Sequence, residues 1–217
     1  MPTLRPFQPG DLPALYAIAL ATGHRGGDAA PLHRDGELIG HIYAAPYALL
    51  APGIAWVAED GEGVAGYAVG ACDTAAWEAL LERRWWPALR RRLADPGETP
   101  APDWTWDQRR VWQIHRPVAT PPAVAVAYPG HMHMNLMPRA QGQGLGARLL
   151  AAWLDAAAAC GAGITAGGVH VGVNAGNARG LRFWARQGFE IFTPDGVAQG
   201  RTVWMGRGWR TDRREGG

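Results

Sequence analysis

Two histidines separated by a single residue, His131 and His133 in the stretch HMHMNLM, are the side chains of this sequence best suited to proton transfer. Alternate residues of an extended segment share a face. His131, His133 and Asn135 therefore point one way, while Met132, Met134 and Leu136 point the other, into the core. An imidazole titrates near pH ~6.5 and suits proton removal at neutral pH, so the pair are candidate bases. The same residues would also serve to line a polar cavity and hydrogen-bond a neighbouring segment. No third ligand stands at a convincing spacing, so no metal is expected. Asp73, closing GYAVGACD, has two readings: a second base or ammonium-binding carboxylate, or the N-cap of a helix starting near Thr74.

A second constellation follows directly. The segment PRAQGQGLGARLLAAWL places Gly142, Gly144 and Gly146 between a strand and an amphipathic helix. Such a junction aims several backbone N–H groups and the positive end of a helix dipole at one point, where a diphosphate fits. Glycines let the backbone approach phosphate oxygens without an intervening side chain. The P-loop is excluded, because it ends in Gly-Lys-Ser/Thr and the chain has no lysine. Gly142, Gly144 and Ala147 satisfy the dinucleotide pattern G-x-G-x-x-A, yet the following region, GAGITAGG, lacks the carboxylate that would hold a ribose. A glycine-rich turn with no ligand is the bland alternative.

These residues need a sheet and flanking helices to hold them. Thr3 to Phe7 reads as a first strand, and Asp11 as the N-cap of a helix through about Thr22. Ile54 to Ala58 and Val64 to Val69 read as a hairpin across EDGEG. Thr74 to Leu93 reads as a helix with Trp77, Leu81, Trp85 and Leu89 on one stripe, kinked or broken near Pro87. Asp95 to Pro122, rich in Pro and Trp, reads as an ordered insertion, since linkers rarely carry tryptophan. His131 to Met137 is the next strand, and the helix after the glycines runs from Leu145 to about Cys160, closed by Gly161, with Leu149, Trp153 and Ala157 buried. Val169 to Val173, Phe189 to Phe192 and Arg201 to Met205 complete the strands, and Asn177 caps a short helix between them. The tail from Arg207 is expected to fray.

Composition narrows the field. The chain has 217 residues, 47% of them hydrophobic and 18% charged, which suits a single folded domain with a continuous core. A net charge of +2 gives no broad basic face, so nucleic acid is not an expected partner. All 21 basic side chains are arginine, which excludes Schiff-base chemistry on a lysine. Cys72 and Cys160 are too few for a disulfide framework. With no signal-like or membrane-length apolar run, a cytoplasmic location and no membrane contact are expected.

PRAQGQGLG resembles the acetyl-CoA signature Q/R-x-x-G-x-G/A of the GNAT superfamily of N-acetyltransferases, and NARGLRFWARQGF resembles that superfamily's C-terminal segment from an asparagine to a Gly-Phe pair. The opening LRPFQPGDLPALYAIA is similar to its first strand and helix. The resemblance implies an α+β (mixed α/β) fold: a central twisted mixed sheet flanked by helices, with an insertion at about 71–127 between the third and fourth strands. It implies one domain over 1–206 and a frayed tail over 207–217. It further implies acetyl-CoA as co-substrate and direct acetyl transfer to an amine of a small molecule, by a monomer or a homodimer, with acetylation of a protein or peptide, or acyl-CoA binding without catalysis, as the alternatives. The cofactor set it carries over is the backbone of Leu136 and Met137, the amides of Gln141, Gly142, Gln143, Gly144, Leu145, Gly146 and Ala147, and the side chains of Asn177 and Trp184. Many members have a tyrosine where Trp184 stands, as the acid for the leaving thiolate. That leaves Tyr128, another hydroxyl or water for the step, or a thiolate that departs unassisted. The His131-x-His133 pair resembles the paired histidines of arylalkylamine N-acetyltransferases. The insertion, with Trp85-Trp86-Pro87, resembles the acetyltransferase-like domain of O-GlcNAcases and its bacterial stand-alone relatives. His24, Asp28, His41, Tyr43, Tyr47 and the insertion tryptophans are expected around the acceptor.

Overall fold

The computed structural model describes residues 2–159, 167–193 and 200–209. Seven strands form one open sheet in the order β1-β2-β3-β4-β5-β7-β6. In chain order they are β1 (Thr3–Pro6), β2 (Trp56–Asp60), β3 (Gly63–Ala71), β4 (Gly130–Leu136), β5 (Val169–Asn174), β6 (Glu190–Ile191) and β7 (Thr202–Arg207). All neighbours run antiparallel except β4 and β5, which are parallel.

One face of the sheet is covered by α8 (Leu145–Ala158) and α9 (Ala178–Arg186), the other by α1 (Leu12–Thr22), α2 (Leu38–Tyr43), α3 (Ala45–Leu50), α4 (Thr74–Arg84) and α5 (Trp86–Arg92). The period-2 alternation of the strands sorts the side chains between the two layers. Val57, Tyr67, Val69 and Ala71 join the α1–α5 layer, and Ala58, Ala65, Ala68 and Met132 join the α8 layer. The stripe Leu145, Leu149, Trp153 and Ala157 is buried as its spacing predicts. Each such large apolar side chain contributes about 1.5–3 kcal/mol by leaving water.

The insertion between β3 and β4 holds α4, α5, α6 (Trp106–His115) and α7 (Pro122–Ala127). The single helix expected over 74–93 is two. It breaks at Trp85, two residues before Pro87, whose ring cannot follow an unbroken turn. The break shifts the buried stripe: Trp77 and Leu81 face the core, but beyond it Trp86 and Leu89 do so, while Trp85 is half-buried and donates its indole N–H to the His41 carbonyl.

Asp11 does not cap α1 with its side chain. It accepts from both terminal guanidinium nitrogens of Arg5 and from the Gln8 amide, and the Arg5 guanidinium holds its carboxyl below the usual range. Arg207 is not frayed, since it pairs with Val169 as the last residue of β7. The expected helix end at Cys160–Gly161 and the tail over 210–217 lie outside the described residues. No helix among the described residues is long and apolar enough to cross a membrane.

Candidate active site at the parting of two strands

Strands β4 and β5 are paired only at Gly130–Val169 and His131–His170. Beyond that point each continues, β4 to Leu136 and β5 to Asn174, without a mutual ladder. The sheet therefore opens into a V with two cavities about it. Met134, Asn135 and Leu136 line one, and His131, Met132 and His133 line the other.

The first cavity, of about 390 Å³, runs between the glycine loop and α9. Gly142 and Gly144 have φ of 79° and 75°, a region open mainly to glycine. Gly144 turns the chain into α8 with no side-chain cap. Among the described residues, the amides of Gly142 to Ala147 donate no hydrogen bond, the first α8 bond being Arg148 N–H to Gly144 O. A row of unpartnered amides at a helix start is an anion seat. Arg179 and Arg186 on α9 line the same cavity. Gly146 lets Phe183 lie close, for a Cβ there would meet its ring at 2.9 Å.

The expected cofactor residues divide. Leu136, Gln141, Gly142, Gly144, Gly146, Ala147, Asn177 and Trp184 line this cavity. Leu145 instead buries its side chain in the core, and Gln143 reaches back to the Arg139 carbonyl. The amide of Gln141 is spent on Pro138 O and its side chain on Leu136 O, so the unpartnered row begins at Gly142. The Met137 amide donates to Ala65 O and faces β3. Because backbone groups alternate in direction, the Leu136 N–H is the one turned into the opening. Asn177 Oδ1 accepts from the Gly180 amide as the cap of α9. Trp184 is buried edge-on against Phe183 and Phe189.

The second cavity, of about 760 Å³, is lined by residues of α4, α5, β5, β7 and the segment 117–121. Tyr43, Tyr47, Trp77, Trp86 and Trp204 give it aromatic walls. Glu78 accepts from the Thr120 amide, tying that segment down, and Glu82 is paired with Arg90 at 2.8 Å. His131 is buried and His133 half-buried. Tyr47 Oη lies 2.8 Å from His131 Nε2 and 3.2 Å from His133 Nε2. Burial holds His131 well below the ordinary imidazole value, with His133 and His170 adding to the effect. Burial, with His170, brings His133 down to about 4. Both are neutral at pH 7, and neither sits near the value of a free imidazole that the sequence suggests. The His131, His133 and Asn135 face is the one expected, with Asn135 donating to Thr22 Oγ1.

Asp73 is exposed, and its Oδ1 accepts from the Ala76 amide at 2.9 Å. It caps α4 and lines neither cavity. His24 and Asp28 also lie apart, His24 against Trp106 and Asp28 on the Ala30 amide, and His41 is buried against Tyr16. Tyr128 packs on Phe192 and lines neither cavity. Sequence reasoning missed His170, whose ring lies 5.6 Å from that of His131. Its signal was a lone histidine inside the apolar alternation VHVGV. It also missed Arg179 and Arg186, two turns apart on one helix. Among the described residues no cluster of His, Cys, Asp or Glu could hold a metal ion.

No family model matches the sequence. Among solved structures, the chain is similar to SsHAT, with 30% identity over 96% of this chain and 98% of that one, at a TM-score of 0.82. It shares its fold with a protein described as an acetyltransferase, at 18% identity over 96% and 100% of the two chains and a TM-score of 0.57. It does so too with a GNAT superfamily phosphinothricin acetyltransferase from Sinorhizobium meliloti in complex with AcCoA, at 16% identity over 95% and 87% and a TM-score of 0.50.

Proposed function

Since the chain belongs to the GNAT superfamily of acetyltransferases, we propose that it carries an acetyl group from acetyl-CoA to the primary amine of a small molecule, by direct transfer with both substrates bound. The observation that carries this reading is the V between β4 and β5, with an anion seat on one side and an aromatic-walled cavity on the other.

The residues present fit acetyl-CoA. The amides of Gly142 to Ala147 receive the diphosphate, and Arg179 and Arg186 add positive charge along the same groove. The Leu136 N–H offers the pantetheine arm a strand-like hydrogen bond. Acetyl-CoA supplies an electrophilic thioester carbon. A volume of about 760 Å³ and aromatic walls suit a small acceptor.

His133 lines the acceptor cavity and takes the proton shed by the attacking nitrogen. It is the free base at every pH above about 4, so its acceptor nitrogen is unprotonated when the amine binds. Its weak basicity means the acceptor must arrive as the neutral amine. Trp184 cannot protonate the leaving group, and Tyr128 is out of reach. A thiol with a pKa near that of cysteine, about 8.5, departs as a thiolate and is protonated by water.

Calorimetry with acetyl-CoA, followed by thiol release on a panel of amines and peptides, tests the assignment. Binding in the micromolar range and release with small amines are expected. His133→Ala should lower turnover about 10²-fold with acetyl-CoA affinity nearly unchanged. Absence of binding would end the acetyl-transfer reading, and release with peptides alone would replace the acceptor class.

A further inference from the structure

The hydrogen bonds around the histidines have a direction that proton chemistry fixes. Thr74 Oγ1 lies 2.7 Å from the Pro129 carbonyl and 2.8 Å from His131 Nδ1. A carbonyl only accepts, so the Thr74 hydroxyl donates its single proton to Pro129 and accepts from His131 Nδ1–H. Were that proton turned to His131 instead, two oxygens would face each other at 2.7 Å with nothing between them.

A neutral imidazole with Nδ1 protonated keeps its lone pair on Nε2. The Tyr47 hydroxyl, 2.8 Å away, must then donate to His131 Nε2. Tyr47 is fully buried, and burial pushes its pKa up, so it keeps that proton. With its proton committed, Tyr47 Oη can only accept from His133 Nε2–H, 3.2 Å away. The lone pair of His133 is left on Nδ1. No group among the described residues hydrogen-bonds that nitrogen, and it is not among the sealed polar atoms without partners, which are Trp77 Nε1, Arg110 Nε and Trp153 Nε1.

We infer that Tyr47 is a positioning residue: through a one-way chain anchored on the Pro129 carbonyl, it locks His133 in the Nε2–H tautomer and presents His133 Nδ1 as the proton acceptor of the second cavity. The same chain uses both nitrogens of His131, which is thereby a support for its neighbour rather than a base. Trp77, stacked on the Tyr47 ring with centroids 4.5 Å apart, holds the tyrosine in place. The groups facing this chain are Tyr43, which meets the His133 ring edge-on, and His170, whose Nδ1–H donates to the Tyr128 carbonyl. Glu78 and Glu82 are the carboxylates lining the same cavity, and both are engaged, by the Thr120 amide and Arg90.

The kinetic consequence rests on the acetyl-transfer reading, but the tautomers do not. Nitrogen-15 spectra of the intact protein read them directly, because an unprotonated ring nitrogen resonates far downfield of a protonated one. Assignment comes from single histidine-to-glutamine variants. The expected pattern is Nδ1–H for His131 and Nε2–H for His133. Tyr47→Phe should turn the His133 pattern into an average of both tautomers and lower kcat about tenfold, leaving the KM for acetyl-CoA unchanged. Should Tyr47→Phe fail to fold, Thr74→Val should release His131 from Nδ1–H while Thr74→Ser retains it. The inference is overturned by an Nδ1–H His133 in the unaltered protein, or by a His133 spectrum indifferent to Tyr47→Phe. A protein with the expected tautomers and no acetyl-CoA binding would refute the acetyl-transfer reading and leave the chain of hydrogen bonds standing.

Discussion

Acidification should unfold this protein partly through His133, by an amount the structure specifies. In the folded chain its pKa is lowered by burial to about 4, whereas in the unfolded chain it returns to about 6.5. The unfolded state thus binds the proton first as pH falls, and stability present at neutral pH is lost below about 6.5. Between pH 7 and pH 5 the protonation term of an unfolded histidine changes by a factor of about 25, or about 1.9 kcal/mol, while a folded histidine with pKa about 4 changes by less than about 0.1 kcal/mol. The difference, about 2 kcal/mol, is a ceiling, because His133 still meets the cavity and is only half-buried. His131 and His170 are depressed by burial too and add losses of the same sign. The assay is urea unfolding of the unaltered protein and of His133→Gln at both pH values, with the slope against urea confirmed constant. Glutamine does not titrate but can still donate toward Tyr47. The variant should lose up to about 2 kcal/mol less than the parent on acidification. Parallel curves for the two proteins would refute the reasoning, because they would place the His133 pKa near its unfolded value.

The same shift implies that log kcat/KM with an alkylamine climbs through pH 6–8 with no inflection near 6.5, following the supply of neutral amine. A break at about 6.5 that vanishes in His133→Gln would contradict it. Gly144→Ala forces a side chain onto φ 75° at the entry to α8. It should cost roughly 1 kcal/mol of stability and weaken acetyl-CoA at least tenfold by calorimetry, with binding at the parent level counting against the amide seat. Asp73→Ala removes the α4 cap and should lower stability by about 1 kcal/mol with turnover unaltered. A large fall in turnover would restore Asp73 to the chemistry. Arg179→Ala and Arg186→Ala should each raise the Kd for acetyl-CoA several-fold and flatten its salt dependence, as titrations at two ionic strengths would reveal.

Local pattern decided a good deal of this protein. The alternation around His131 and His133, the four-residue stripe from Leu145 to Ala157, and the glycines at 142 and 144 each depend on residues within one or two turns of one another. Strand period, helix period and positive φ are properties of short segments. Even the break near Pro87 was legible, although the one-residue slip that buried Trp86 in place of Trp85 was not. What only tertiary structure could decide were the pairings across 84 and 57 residues that put Tyr47 and Thr74 on the two nitrogens of His131. The approach of His170 belongs here as well, set by the one place where β4 and β5 still touch. The downward shift of the imidazoles has the same origin. A pKa answers to how much water and which charges surround the group, and that neighbourhood is assembled from α3, α4, β4 and β5 together.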